Sequence, residues 1–287
     1  MSFAQTVLLG ALAGFTIFLG LPAGRLRLLS DRSRVGLAMF SVGILAFIFV
    51  DVLEHGLGIV DGALKGFKDG GGSFGHLAVL TALLIGGFGL GSAGLGIIER
   101  RLRPKAPVYP PVAGGSTAAA FTADETAQLA SEADLARRRA LQTGVVIAVA
   151  IGLHNFAEGL AIGVSARSGA VSLATVLIVG FALHNATEGF GIVGPLGSVM
   201  PSWRWLGLVG LIGGGPTFLG AIVGYQVTSE PLELVFYAVA AGAILYVIGE
   251  IWQGMRRYGH RELGLLLLTA GFAAGILTDL VVAYGGG

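Results

Sequence analysis

Residues 153–159 read Leu-His-Asn-Phe-Ala-Glu-Gly, and residues 183–189 read Leu-His-Asn-Ala-Thr-Glu-Gly, each inside a long apolar run. On a helix, the His and the Glu of one copy are four residues apart and share a face, with the Asn on the same broad side. Two such helices facing each other would bring imidazoles, carboxylates and amides into one small volume. These nitrogen and oxygen donors suit divalent transition metals. The candidate metal ligands are His154, Asn155, Glu158, His184, Asn185 and Glu188.

A histidine on an apolar helix also has a simpler explanation, because it often only hydrogen-bonds to a neighbouring helix. The near-identical second copy disfavours that explanation here. A charged group at the centre of a membrane helix costs about 2.5–3.5 kcal/mol even on a lenient insertion scale, so two carboxylates need compensation. A bound dication would supply it, and we therefore expect a metal site between the two helices.

The composition is that of an integral membrane protein. Of 287 residues, 54% are hydrophobic and 12% are charged, against about 25% charged in a soluble domain, and the mean hydropathy is +0.81. Eight apolar segments are long enough to span a bilayer as helices. Their approximate limits are 5–24, 36–58, 76–98, 140–164, 171–194, 203–226, 232–255 and 263–284. The expected fold is an all-α integral membrane protein with eight transmembrane helices in one domain, residues 1–287, and its metal site between helices four and five.

The basic residues are distributed unevenly between the connections. Fifteen Lys and Arg residues lie on the side of the 1–2, 3–4, 5–6 and 7–8 connections, and three lie on the other side. The positive-inside rule makes the first side cytoplasmic and places both termini outside the cell or in the periplasm. Residues 100–138 then form a cytoplasmic loop, whose Pro-, Gly- and Ala-rich part predicts partial disorder. Its Ala- and Glu-rich end predicts that helix four begins ahead of the membrane.

Further ionisable residues inside the apolar segments mark a candidate cation path. Solvated helix ends, or an ion pair between Glu250 and a nearby arginine, would also explain them. The candidates are Asp51, Glu54, His55 and Asp279 toward the outer side and Glu250 toward the inner side. His154 lies about 14 residues from the inner end of its segment, and His184 about 13 from the outer end of its own. At about 1.5 Å per residue both are expected near mid-membrane.

Two function classes are disfavoured by composition. The chain has no cysteine, which excludes a thiolate metal site. Its basic residues are confined to the connections, and they give no indication of nucleic-acid binding.

The eight spans, the long loop after span three and the paired His-Asn-x-x-Glu-Gly motifs resemble the ZIP (Zrt/Irt-like) family of divalent metal transporters, bacterial type. The resemblance implies transport of Zn²⁺, or another divalent first-row metal, toward the cytoplasm across the bacterial inner membrane. It also implies a multi-pass protein in a lipid bilayer, a homodimer and no enzymatic activity.

The resemblance further implies two adjacent metal positions. His154, Glu158, His184 and Glu188 match one of them. The asparagines of both motifs, with the same two glutamates, match the second. Relatives with two metals draw another carboxylate from span six, where this chain has Thr217.

Two other functions use the same residues. A passive divalent-cation channel would use them as a selectivity site, and fast ohmic currents would distinguish it from a saturable carrier. A membrane-embedded zinc hydrolase would use histidine-bound zinc to activate water, with Glu158 as general base. The chain has no His-Glu-x-x-His hydrolase motif, which disfavours the hydrolase.

Overall fold

The computed structural model describes residues 1–25, 30–102, 123–167, 171–226 and 229–284, and throughout these ranges the regular structure is helical. We number its eight long segments in chain order. Segment α1 is an α-helix Phe3–Phe15 continued by a short helix Ile17–Gly20 and a 3₁₀ turn Leu21–Arg25. Segment α3 joins Phe74–Gly89, a π-helical turn Leu90–Gly94 and Leu95–Leu102. The others are α2 Asp31–Lys68, α4 Ala123–Arg167, α5 Val171–Val193, α6 Trp203–Gln226, α7 Glu230–Arg256 and α8 Arg261–Tyr284.

Helix starts follow local sequence signals. The Ser2 hydroxyl accepts a hydrogen bond from the Gln5 amide, and the Gln5 side chain accepts one from the Ser2 amide. Ser30 and Ser73 cap α2 and α3 in the same way, through hydroxyls that accept from amides three residues on. A hydroxyl N-cap stabilises a helix by about 1 kcal/mol, so these serines favour the observed starts of α1, α2 and α3.

Among the described residues, seven helices are long and apolar enough to cross a membrane. This finding confirms the predicted fold class, an all-helical membrane protein with several spans. They are Phe3–Arg25, Asp31–Lys68, Phe74–Arg101, Ala127–Arg167, Trp203–Gln226, Glu230–Arg256 and Arg261–Val281. The remaining predicted span coincides with α5, a helix of 23 residues, and its crossing of the membrane stays a prediction.

The loop predicted over residues 100–138 is helical wherever the structure describes it. Residues 100–102 end α3, residues 123–138 begin α4, and residues 103–122 lie outside the described part. The prediction that helix four begins ahead of its apolar stretch is confirmed. At 45 residues and about 1.5 Å per residue, α4 is about 67 Å long, against a hydrocarbon core of about 30 Å.

The α4 and α6 helices pack with their backbones in direct contact. A Cβ on Gly159 would overlap the carbonyl oxygen of Thr217, and one on Gly220 would overlap that of Phe156. Small residues allow such approach, which van der Waals packing rewards inside a membrane. The helix that carries the first His-Asn-x-x-Glu-Gly motif is therefore held against α6 without an intervening layer of side chains.

The largest cluster of buried apolar side chains lies at the centre of the bundle. It joins α1, α2 and α4 to α5, α6 and α7, and its fully buried members include Ile17, Ile147, Ile192, Ile244 and Ile251. In contrast, α8 exposes Leu266, Leu277 and Leu280, as expected for a helix that faces lipid. The buried cluster packs around the motif-bearing stretches of α4 and α5.

Candidate metal centre

The two histidines of the repeated motif face each other across α4 and α5. Their ring centroids are 6.1 Å apart, with the planes inclined at 33°. One carboxylate oxygen, Oε1 of Glu158, lies between them, 2.9 Å from His154 Nε2 and 2.5 Å from His184 Nε2. Each of the three residues offers a ligand atom within 4.8 Å of the others. Two imidazole nitrogens and a carboxylate oxygen therefore converge on one point.

The second carboxylate of the motif pair lies beside this point. Glu188 Oε1 is 3.6 Å from His154 Nε2. Its other oxygen, Oε2, accepts a hydrogen bond of 3.2 Å from Asn155 Nδ2, which also donates to the carbonyl oxygen of Gly213 at 2.9 Å. Asn155 thus orients Glu188 toward the histidines and ties the centre to α6.

The side chains of both histidines and both glutamates of the motifs are buried or nearly so. The side chain of His184 is 11% exposed, and those of His154, Glu158 and Glu188 are 0–3% exposed. Glu158 Oε2 and Glu188 Oε1 are buried without a hydrogen-bond partner. Burying carboxylate oxygens without a partner destabilises the folded protein by several kcal/mol, unless a cation compensates their charge. The donor set of two nitrogens and two carboxylates fits a divalent transition metal.

The remaining motif asparagine is held by a different helix. Asn185 Nδ2 donates a hydrogen bond of 3.2 Å to the carbonyl oxygen of Ala13 in α1. The side-chain oxygens of Asn155 and Asn185 are both buried without a partner, as is the hydroxyl of Thr217 on α6. Thr217 packs where α1 has Gly14, because a Cβ on that glycine would lie 2.8 Å from the Thr217 hydroxyl oxygen.

A cavity of about 690 Å³ leads to the centre, and Glu158 and His184 form part of its wall. Three of the predicted path residues, Asp51, His55 and Asp279, also line it. Asp51 and His55 are neighbours, since His55 Nδ1 lies 3.7 Å from Asp51 Oδ1 and 2.9 Å from the Asp51 carbonyl oxygen. The structure thus brings three of the four predicted outer path residues to the same cavity wall as Glu158 and His184.

The other two predicted path residues lie elsewhere. Glu54 is exposed on α2 and is not part of the cavity wall. Glu250 lies half-buried in α7, likewise away from that wall. The cavity extends toward the end of the bundle that carries the α2–α3 and α4–α5 connections, because its lining reaches the last turns of α4 and α8, at Ser165 and Ala283, and the first turn of α7, at Glu233.

Two polar residues of the cavity wall were not predicted from the sequence. Glu233 and Tyr237 of α7 line the same cavity, and the Tyr237 ring lies 5.6 Å from that of His55. They are four residues apart and share a helix face. That spacing was a usable signal, but Glu233 lies so near the start of the apolar segment that it resembles a solvated helix end.

Polar contacts also fasten the second motif to its neighbours. The Thr187 hydroxyl donates to the His184 carbonyl oxygen at 2.7 Å, and the Ser41 hydroxyl of α2 donates to the Thr187 carbonyl oxygen at 2.8 Å. The backbone around His184 is thereby linked to α2, the helix that carries the outer path residues.

Comparison with known proteins places these motifs in a family context. The ZIP Zinc transporter family model matches residues 114–248, a range that contains both motif copies. The zinc transporter ZupT of Corynebacterium glutamicum is 32% identical over 278 residues, which cover 91% of this chain and 94% of the relative. The zinc transporter ZupT of Clostridium perfringens is 35% identical over 145 residues, which cover 49% of this chain and 50% of the relative.

Proposed function

The chain belongs to the ZIP zinc transporter family, and from this premise we propose that it carries a divalent transition-metal cation, Zn²⁺ foremost, across the membrane toward the cytoplasm. Its family consists of transporters rather than enzymes. The observation that carries the proposal is the buried cluster of His154, Glu158, His184 and Glu188 beside a cavity that reaches it from one end of the bundle.

The transported ion binds between the two histidines. Neutral imidazole nitrogens and carboxylate oxygens bind Zn²⁺ at about 2.0–2.2 Å, and Glu158 already lies between His154 and His184. Glu188, oriented by Asn155, supplies the second carboxylate. Two carboxylates neutralise the charge of the dication, which lets the ion shed water in the membrane interior.

A second, weaker metal position adjoins the first. The buried, unpartnered oxygens of Asn155, Asn185 and Thr217 support it, together with the two glutamates of the motifs. Since Thr217 stands where two-metal relatives have a carboxylate, the second ion receives one negative charge less. We expect it to bind more weakly than the first.

The ion enters past Asp51, His55 and Asp279 and leaves past Glu250. The surplus of Lys and Arg at the opposite end of the bundle supports an orientation with both termini outside and that end in the cytoplasm. Counting α5, the protein crosses the bacterial inner membrane eight times. Pairing into a homodimer is a prediction that rests on the family resemblance.

Binding has to be strong enough for entry and weak enough for release. Exposure at the centre is uneven, because His184 borders the cavity while His154 is fully buried. We expect the ion to contact His184 and Glu158 first and to complete its ligand set with His154 and Glu188.

Radioactive Zn²⁺ uptake into proteoliposomes tests the proposal. Wild-type protein should give saturable uptake, and the Glu158→Ala/Glu188→Ala double variant should give none while remaining folded. A Glu99→Gln variant is the control, since Glu99 is also buried but lies on α3 and is not among the cavity-lining residues. Wild-type uptake by the folded double variant would refute the proposal, and fast ohmic Zn²⁺ currents would indicate a passive channel through the same residues.

A further inference from the structure

A second cavity, of about 630 Å³, lies at the end of the bundle opposite the metal entrance. Residues from the end of α1, the start of α2, the early turns of α4 and the link between α5 and α6 line it. Three arginines line it, Arg25, Arg34 and Arg137, together with Gly24 and residues 197–200. None of the described residues that line it is acidic. A strongly cationic pocket is therefore formed by four separate parts of the chain.

The three arginines have no ion-pair partner among the residues that the structure describes. Arg34 Nε is buried without a hydrogen-bond partner, and in the part of the chain that the structure describes no carboxylate lies within ion-pair distance of Arg25, Arg34 or Arg137. Arg138, by comparison, pairs with Asp134 at 2.7 Å. Because a guanidinium is always charged and carries only hydrogen-bond donors, a cavity lined by three of them is suited to binding an anion.

Arg25 is held in position by its own contacts. Its guanidinium donates to the carbonyl oxygen of Pro201 at 2.5 Å and lies 4.9 Å from the centre of the Trp203 ring. Trp203 is 62% exposed. Exposed tryptophans at the ends of membrane helices typically lie at the level of the lipid headgroups. The cavity is therefore expected at the depth where headgroup phosphates are found.

We propose that this cavity binds the phosphate of an anionic phospholipid headgroup from the cytoplasmic leaflet. Guanidinium groups form paired, charge-assisted hydrogen bonds with phosphate oxygens, and three of them surround the space. Basic pockets between membrane helices on the cytoplasmic side suit acidic headgroups. Because Arg34 belongs to α2 while Arg25 and Arg137 belong to α1 and α4, the bound phosphate would link three helices that share no ion pair among their described residues at this end of the bundle.

Native mass spectrometry of the delipidated protein in a non-ionic detergent tests this site without involving the metal centre. The probe is dioleoyl-phosphatidylglycerol, with dioleoyl-phosphatidylcholine as the neutral comparison. The Arg34→Gln/Arg137→Gln variant should bind phosphatidylglycerol roughly thirtyfold more weakly than wild type. The matched control is Arg32→Gln/Arg138→Gln, which changes the net charge equally at neighbouring positions outside the cavity wall, and it should bind like wild type.

Two results would overturn the site, and a third would refute its lipid occupant. Equal phosphatidylglycerol binding by the Arg34→Gln/Arg137→Gln variant and its control would overturn it, as would equally strong binding of phosphatidylcholine. If inorganic phosphate bound with the same arginine dependence and phosphatidylglycerol did not, the phosphate site would stand and its lipid source would be refuted. Should the double variant misfold, Arg137→Gln alone, at an exposed position, should weaken binding roughly fivefold.

Discussion

Glu158 is the single residue on which zinc binding should depend most. Its Oε1 lies 2.9 and 2.5 Å from the Nε2 atoms of His154 and His184, so under the proposed function it would bridge α4 and α5 at the bound ion. Glu158→Gln keeps the shape of the side chain and removes its negative charge. The change thus isolates the contribution of the carboxylate from that of packing.

The expected loss follows from the number of ligands. Structural sites with four protein ligands bind Zn²⁺ with a free energy of about 10–16 kcal/mol. If the four ligands contribute equally, each accounts for about 2.5–4 kcal/mol. Removing one of them weakens zinc binding roughly 60- to 700-fold. At free zinc a thousandfold above the wild-type Kd, the ion stabilises wild type by about 4.1 kcal/mol, and this stabilisation should fall to about 0.5–1.7 kcal/mol in the variant.

Thermal unfolding with and without Zn²⁺ measures this difference, and proteoliposome uptake measures its effect on transport. Each protein is compared with itself in the absence of metal, so a change in basal stability does not affect the result. Glu99→Gln should retain the full zinc-induced shift in Tm. A folded Glu158→Gln protein with a wild-type shift and wild-type uptake would refute the assignment of Glu158 as a ligand.

Three further substitutions probe the entrance, the second metal position and the helix packing. Asp51→Asn should raise the Zn²⁺ concentration for half-maximal uptake about tenfold with an unchanged zinc-induced Tm shift, because this carboxylate attracts the ion without binding it at the centre. Thr217→Val, which removes a buried hydroxyl without a partner, should change basal stability by no more than about 1 kcal/mol and lower the zinc stoichiometry in equilibrium dialysis toward one. Gly214→Ala should lower the thermal stability by about 1–3 kcal/mol through overpacking against Gly14.

Each of these substitutions has a control or a contradicting outcome. A weaker zinc-induced Tm shift in the Asp51 variant would make that residue a ligand. An unchanged zinc stoichiometry in Thr217→Val would exclude the hydroxyl from the second position. Gly215→Ala is the control for its neighbour, because a Cβ there meets nothing within 4 Å, and equal stability losses in the two alanine variants would contradict the packing explanation.

The membrane helices and the convergence of the motifs could be predicted because both follow from local properties. Hydropathy identifies a span without knowledge of its neighbours, and a spacing of four residues puts His and Glu on one helix face. Two adjacent antiparallel helices then have few ways to bury such faces except against each other. Glu158 between His154 and His184 is the outcome of that constraint.

Features that depend on distant parts of the chain could not be predicted. The Asn185 side chain donates to Ala13, a partner 172 residues away. The π-helical turn at Leu90–Gly94 lies where Gly91 approaches the backbone of α7. The arginine cavity combines α1, α2, α4 and the α5–α6 link. In each case the contact is decided by the tertiary arrangement, which no single stretch of sequence specifies.

The antiparallel pairing of α4 and α5 has a consequence for the direction of flux. The two copies of the motif run in opposite directions, yet the centre they build is asymmetric: Glu158 Oε1 lies 2.9 and 2.5 Å from the two histidine Nε2 atoms, whereas Glu188 Oε1 lies 3.6 Å from His154 Nε2. Under the proposed function, this asymmetry would affect the rates at which the ion arrives from the two faces, whereas the thermodynamic direction of transport is set by the electrochemical gradient of the metal. If the gradient were inverted, the same centre would carry the ion outward.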